Sequence, residues 1–257
     1  CGGVARASQL SVRRKYVAGP NFDLVCDIDL CNTQCQEQCY TYFRKNTVLV
    51  AVMAPACGPF GPMSHLNWHL HPDSMWETYK QAAPVARVCG YIALIQLGKS
   101  LDFIQEQPHP SALYEEVPWP EVLHSYPNVV QVQYDRCRCG LKVLQGPNKG
   151  LHIRKPSTMT VSCPELGHPF TNTQCLNNHE HLPGLGNAKE LQEAQMLTWQ
   201  EATKVADGIG EVRARHKRGY SSPKYMTAYP AFDASKVAPA NTTEDAAPGD
   251  DHRAPPR

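Results

Sequence analysis

The sequence predicts an α/β fold, a doubly wound and mostly parallel sheet, and three observations lead there. Thr47–Ala54 is a continuous, β-branched apolar run of the kind found in strands buried on both faces. A long stretch with apolar residues at helical spacing, Trp76–Gly98, separates it from the next apolar run, Ser100–Gln105. Each run stops near a reactive side chain, Cys57 and Glu106, and in doubly wound sheets the carboxyl ends of the strands are where ligands bind.

The elements follow in order. A glycine turn at Cys1-Gly2-Gly3-Val4 leads into a helix-like stretch, Ala5 to Tyr16. Phe22–Ile28 reads as a short strand ending in Asp27 and Asp29. Cys35–Asn46 has helical spacing, with Tyr40 and Phe43 on one face. The His-, Pro- and Asn-rich residues 61–74 read as a loop, placed to close over a substrate or to cover the sheet edge. Pro84 predicts a kink or a late start in the helix over Trp76–Gly98. Pro118 and Pro120 keep any helix in Ser111–Ser125 short. Val129–Tyr134 is a further strand, with Leu151–Arg154 and Thr158–Val161 as a hairpin near it. Helical propensity returns over Asn187–Ile209. Three regions result: an α/β core over 1–134, a Cys/His-containing extension over 135–209 packed on it, and a tail over 210–257, basic and then Ala/Pro/Asp-rich, expected to be disordered.

The 257 residues are 42% apolar and 19% charged, enough to bury a core, and the net charge of +1 points to neither nucleic acid nor membrane. No run approaches the ~18 apolar residues of a membrane span, and no signal peptide is seen. An odd count of 11 cysteines at irregular spacings argues against a complete disulfide framework and for a reducing, intracellular compartment, nuclear or cytoplasmic. The chain opens at Cys1 rather than Met, and the expectation is that a first strand precedes it.

Cys57 sits on a Pro/Gly loop, Ala54-Pro55-Ala56-Cys57-Gly58-Pro59. A thiol is a nucleophile only as thiolate, with an ordinary pKa of about 8.5, and exposed backbone N–H groups favour the anion. A thiolate adding to carbon 6 of cytosine makes carbon 5 nucleophilic, and a carboxylic acid at N3 relieves the charge that develops. Glu106 suits that second task. The alternative readings are a packed thiol for Cys57, a helix cap for Glu106 and turn residues for Asp27 and Asp29.

In their order, these segments resemble the DNA cytosine-5 methyltransferases, and more closely a divergent group of such domains in dinoflagellate retrotransposon-like polyproteins, over roughly residues 1–210. Cys1-Gly2-Gly3-Val4 looks like the end of the glycine-rich S-adenosylmethionine loop, and Val25-Cys26-Asp27-Ile28-Asp29 like the acidic strand end that holds the cofactor's ribose and adenine. Ala54-Pro55-Ala56-Cys57 looks like the family's Pro-Pro-Cys, with Ala56 for the second proline. Gln105-Glu106-Gln107-Pro108 looks like Glu-Asn-Val, with Gln107 and Pro108 in the last two places. Arg136-Cys137-Arg138 echoes Gln-x-Arg-x-Arg. The resemblance implies Cys57, Glu106, Arg136 and Arg138 as catalytic residues, Gly2, Gly3, Asp27, Asp29 and Pro55 as cofactor-binding, S-adenosylmethionine as cofactor and DNA as partner, with the target base flipped out of the duplex. A catalytically inactive remnant, or a binding domain of a mobile-element polyprotein, is the rival reading.

Cys163, His168, Cys175, His179 and His181 invite a zinc reading and with it a zinc-stabilised interaction domain. The spacings do not favour it, because His179-Glu180-His181 is tighter than the usual His pair and Cys137-x-Cys139 is nonstandard. Arg213–Arg218 reads as a solvated charge run or as a phosphate contact.

Overall fold

A computed structural model describes residues 5–183 and 191–219, except the side chains of residues 192 and 193. Helix α1 (Arg6–Arg13) is followed by a 3-10 turn at Leu24–Cys26, helix α2 (Thr33–Lys45) and strand β1 (Val50–Met53). Helices α3 (Ser64–Leu70) and α4 (Pro72–Gly98) lead to strand β2 (Asp102–Pro108). Helix α5 (Trp119–Ser125), strand β3 (Val130–Asp135), strand β4 (Pro156–Val161), helix α6 (Pro164–Gly167) and helix α7 (Trp199–Lys217) complete the order.

The fold is mixed α/β, with helices on both faces of a four-stranded sheet in the order β1-β2-β4-β3. β1 pairs parallel to β2, Met53 beside Gln105. β4 enters between β2 and β3 and pairs antiparallel with both. The expected mostly parallel pairing is therefore corrected: three strands share one direction, yet two of the three pairings are antiparallel. Side chains alternate across β2. Phe103 joins the core formed with α2, α4 and α5, while Ile104 joins the core formed with α1, α6 and α7. Asp102, on the Ile104 face, accepts from Ser162 Oγ (2.8 Å) and from Arg215 (2.5 Å), so β2 is clamped to α7.

Local chemistry explains the helix ends. Asn32 accepts from the Gln34 and Cys35 N–H groups and opens α2. Lys99 Nζ donates to the carbonyls of Phe43 (2.9 Å) and Asn46 (2.5 Å) and closes it. Thr198 and Glu201 form a reciprocal capping box at the start of α7.

Several expectations need correction. Phe22–Ile28 is not a strand: Asp23 accepts from the Val25 N–H and Asp27 takes φ 57°, which curls the segment into a 3-10 turn. Such side-chain-to-backbone bonds compete directly with a strand ladder. Residues 61–74 contain α3 and the start of α4, and α4 runs through Pro84 rather than starting after it. Leu151–Arg154 is not a strand, since only His152 forms isolated bridges, to Lys142 and His181. α7 continues through Gly210 to Lys217, so the basic cluster forms helical turns, with Arg215 committed to Asp102 and Glu165. The expected tail beyond residue 219, the helix start over 187–190, and Gly2 and Gly3 lie outside the described residues.

No helix among the described residues is long and apolar enough to cross a membrane. The ten described cysteines are free thiols.

Candidate functional site

The chain leaves β1 through Ala54 and Pro55 and turns at Cys57, whose carbonyl accepts from the Phe60 (3.0 Å) and Gly61 (2.9 Å) N–H groups. Phe60 is buried in the core and pins the far side of the turn, while Cys57 is half-buried and Ala56 and Gly58 are exposed. Gln107 Nε2 donates to the Pro55 carbonyl (2.9 Å), tying the thiol loop to the end of β2. The Cys57 loop after β1 and Glu106 of β2 therefore lie toward the same end of two adjacent parallel strands.

Glu106 lies within β2 rather than beyond it, opposite Met159 of β4. It is half-buried, and its Oε1 has no hydrogen-bond partner. A buried carboxyl oxygen without a protein partner is uncommon. Its charge reaches the neighbouring phenols: burial, then Glu201, then Glu106 hold Tyr134 well above the ordinary value.

Arg136 is placed for architecture. It is buried, its Nε donates to Glu201 Oε1 (2.6 Å) and its Nη2 to Oε2 (2.8 Å), and its other bonds go to the Ala194 and Met196 carbonyls. Burial disfavours its charge, but Glu201 more than offsets this and holds the guanidinium above its usual range. Arg138, two residues on, is exposed, as are Lys142 and Arg154 in the layer after β3.

The acids meant for the cofactor sit elsewhere. Asp27 and Asp29 are exposed in a loop rather than at a strand end, and Asp29 accepts from the Cys31 N–H (2.8 Å). A groove of about 680 Å³ runs along β1, between Lys15, Tyr16, Phe22, Tyr42 and Arg213. Its size suits a nucleoside-sized ligand. Its lining carries two cations and no carboxylate, and neither Asp27, Asp29 nor Pro55 contributes to it. The groove does not fit a cationic sulfonium cofactor whose ribose is to be held by an acid.

The Cys/His cluster that the spacings disfavoured does assemble. Cys137 of the 3-10 turn after β3 meets Cys175, His179 and His181, and their ligand atoms lie within 4.8 Å of one another. Cys139, Cys163 and His168 stand outside the group. Burial, and then the Cys175 thiol, push the Cys137 thiol up. Burial, and then His179, push His181 down, toward the neutral imidazole that a metal binds. The set could hold a metal ion, and zinc is compatible with it.

Fold and site together define a mixed α/β domain that carries a half-buried thiol at a strand end and a Cys/His cluster beside the sheet. Compared with known proteins, the chain matches no protein-family model, no curated protein and no solved structure.

Proposed function

We propose that the chain carries the base-attacking half of a DNA cytosine-5 methyltransferase-like site, with Cys57 as nucleophile and Glu106 as the acid at N3. The observation that carries this reading is a half-buried thiol on the loop after β1 and, toward the same end of adjacent parallel β2, a half-buried carboxyl whose Oε1 has no partner. The three strands of common direction are consistent with part of a doubly wound sheet, and exposed Arg138, Lys142 and Arg154 offer contacts for DNA phosphates.

The chemistry divides cleanly. The Cys57 sulfur, its proton lost to water, bonds to carbon 6 of a flipped cytosine. The displaced π electrons move toward N3, which takes the Glu106 proton. Carbon 5 of the resulting enamine takes a proton from water. Loss of its original proton to water, departure of the thiolate and return of the N3 proton to the Glu106 carboxylate restore the ring. The described residues do not build a cradle for S-adenosylmethionine, so methyl transfer from it belongs to the proposal only through the family resemblance.

Exchange of the carbon-5 hydrogen with water tests this half alone. The whole chain should release label from DNA containing cytosine tritiated at carbon 5, Cys57→Ala should release none above background, and Glu106→Gln should be slower by ~10²–10⁴-fold. Equal release by the native chain and Cys57→Ala would remove Cys57 from the mechanism. The placement of Asp27, Asp29 and Arg136 favours a second reading, a noncatalytic DNA-binding remnant. That reading predicts binding without any exchange.

A further inference from the structure

We propose that Cys137, Cys175, His179 and His181 form a closed, tetrahedral zinc site that staples the segment after α6 to the end of β3. The proposal is independent of the methyltransferase-like reading.

The geometry is that of a preformed site. Cys175 Sγ lies 3.6 Å from His179 Nε2 and 3.5 Å from His181 Nε2. Zinc bound at about 2.3 Å to sulfur and about 2.0–2.1 Å to nitrogen spans S···N edges of about 3.5 Å in a tetrahedron. One sulfur within reach of two imidazole nitrogens and of a second thiol puts four donor atoms where a single ion could take them.

The surroundings serve the ligands. His179 Nδ1 lies 3.1 Å from Asn178 Oδ1, which selects the tautomer protonated at Nδ1 and leaves the Nε2 lone pair for an ion. The Asn177 N–H donates to Cys175 Sγ (3.3 Å), which holds the sulfur in place within the loop. Asp135 at the end of β3 accepts from the Cys175 N–H (2.7 Å) and fixes the loop against the sheet. His181 sits in a bridge with His152, so the chain there is extended, and alternation along an extended chain puts residues 179 and 181 on one side.

The local core explains what an ion would add. The buried apolar cluster of this layer is Leu141, Val143, Ile153 and Leu182. So small a cluster buries little apolar surface, and an ion joining four side chains beside it would add to its stability. Four protein ligands leave no open coordination position, which makes the role structural rather than catalytic.

Metal analysis of the whole chain, purified under reducing conditions, decides the matter. One equivalent of zinc per chain is expected. Replacement by Co²⁺ should give the visible bands of a tetrahedral ion with thiolate charge transfer. His181→Ala and Cys175→Ser should lose the metal and the bands, while Cys26→Ser, at an exposed thiol, should keep one equivalent. The Co²⁺ spectrum of the native chain keeps the test valid if a variant fails to fold. A native chain with no zinc and no tetrahedral Co²⁺ spectrum, or one whose metal survives both ligand substitutions, would overturn the proposal, as would a Cys137–Cys175 disulfide under those conditions.

Discussion

Glu201→Ala is expected to destabilise the whole chain by about 3–5 kcal/mol, the cost of leaving one partner of a fully buried ion pair uncompensated. Glu201 and Arg136 are both buried, at 0% and 1% side-chain exposure. The same carboxylate accepts from Tyr134 Oη (2.9 Å) and from the Thr198 N–H (2.6 Å). Removing it strands a guanidinium, a phenol and a helix N-terminus together. Thr198→Ala is the comparison, because it leaves the ion pair in place and removes the hydroxyl that accepts from the Glu201 N–H (3.0 Å) and donates to the Cys139 carbonyl (2.6 Å), which should cost about 1–2 kcal/mol. Urea unfolding of the two variants checks both. A Glu201→Ala cost no larger than that of Thr198→Ala would mean that the pair with Arg136 contributes nothing.

Trp119→Ala should cost about 3–5 kcal/mol through the opposite face of the sheet. Trp119 is fully buried, donates from its indole to the Ala86 carbonyl (2.9 Å) and meets Tyr114 edge-on at 5.7 Å. The space is shaped around it: a Cβ on Gly90 would fall 2.6 Å from Pro118 Cδ, too close for any side chain there. α4 and α5 therefore meet at a glycine, with the indole filling the remaining volume. Trp119→Phe should cost less than Trp119→Ala by retaining most of that volume. The same unfolding measurement orders the two, and equal losses would show that the site relaxes around the missing ring.

The parts of the fold legible in sequence are those where burial alone sets the pattern. β1, β2 and the long α4 follow from apolar runs, and β3 from the alternation in Val130-Gln131-Val132-Gln133-Tyr134. Pairing direction was not legible, because an apolar run such as Thr158–Val161 looks alike whether it lies parallel or antiparallel to its neighbours. Phe22–Ile28 misled for a local reason: Asp23 and Asp27 bind or bend the backbone where a ladder would have formed. The signal for the start of α7 was present and unused, a Thr198-x-x-Glu201 box.

The site was legible in the same uneven way. Parallel pairing brings the Cys57 loop and Glu106 toward one end of adjacent strands, although Glu106 lies within β2 rather than beyond it. Arg136 could not be recognised as structural, because its partner lies 65 positions away on α7. The metal cluster was obscured because its first ligand follows β3 while the others lie beyond β4 and α6. The tight His179-Glu180-His181 spacing counts against a helical pair but suits an extended segment.

DNA carrying a cytosine ring with nitrogen in place of carbon 5 tests the central claim most directly, since that ring is more electrophilic at carbon 6 and holds the thiol once it has added. Incubated with the whole chain, denatured and mapped by peptide mass, such DNA is expected at Cys57, and Cys57→Ala should give no adduct. A native chain that forms no adduct, or an adduct that persists in Cys57→Ala, would contradict the assignment of Cys57 as the attacking nucleophile.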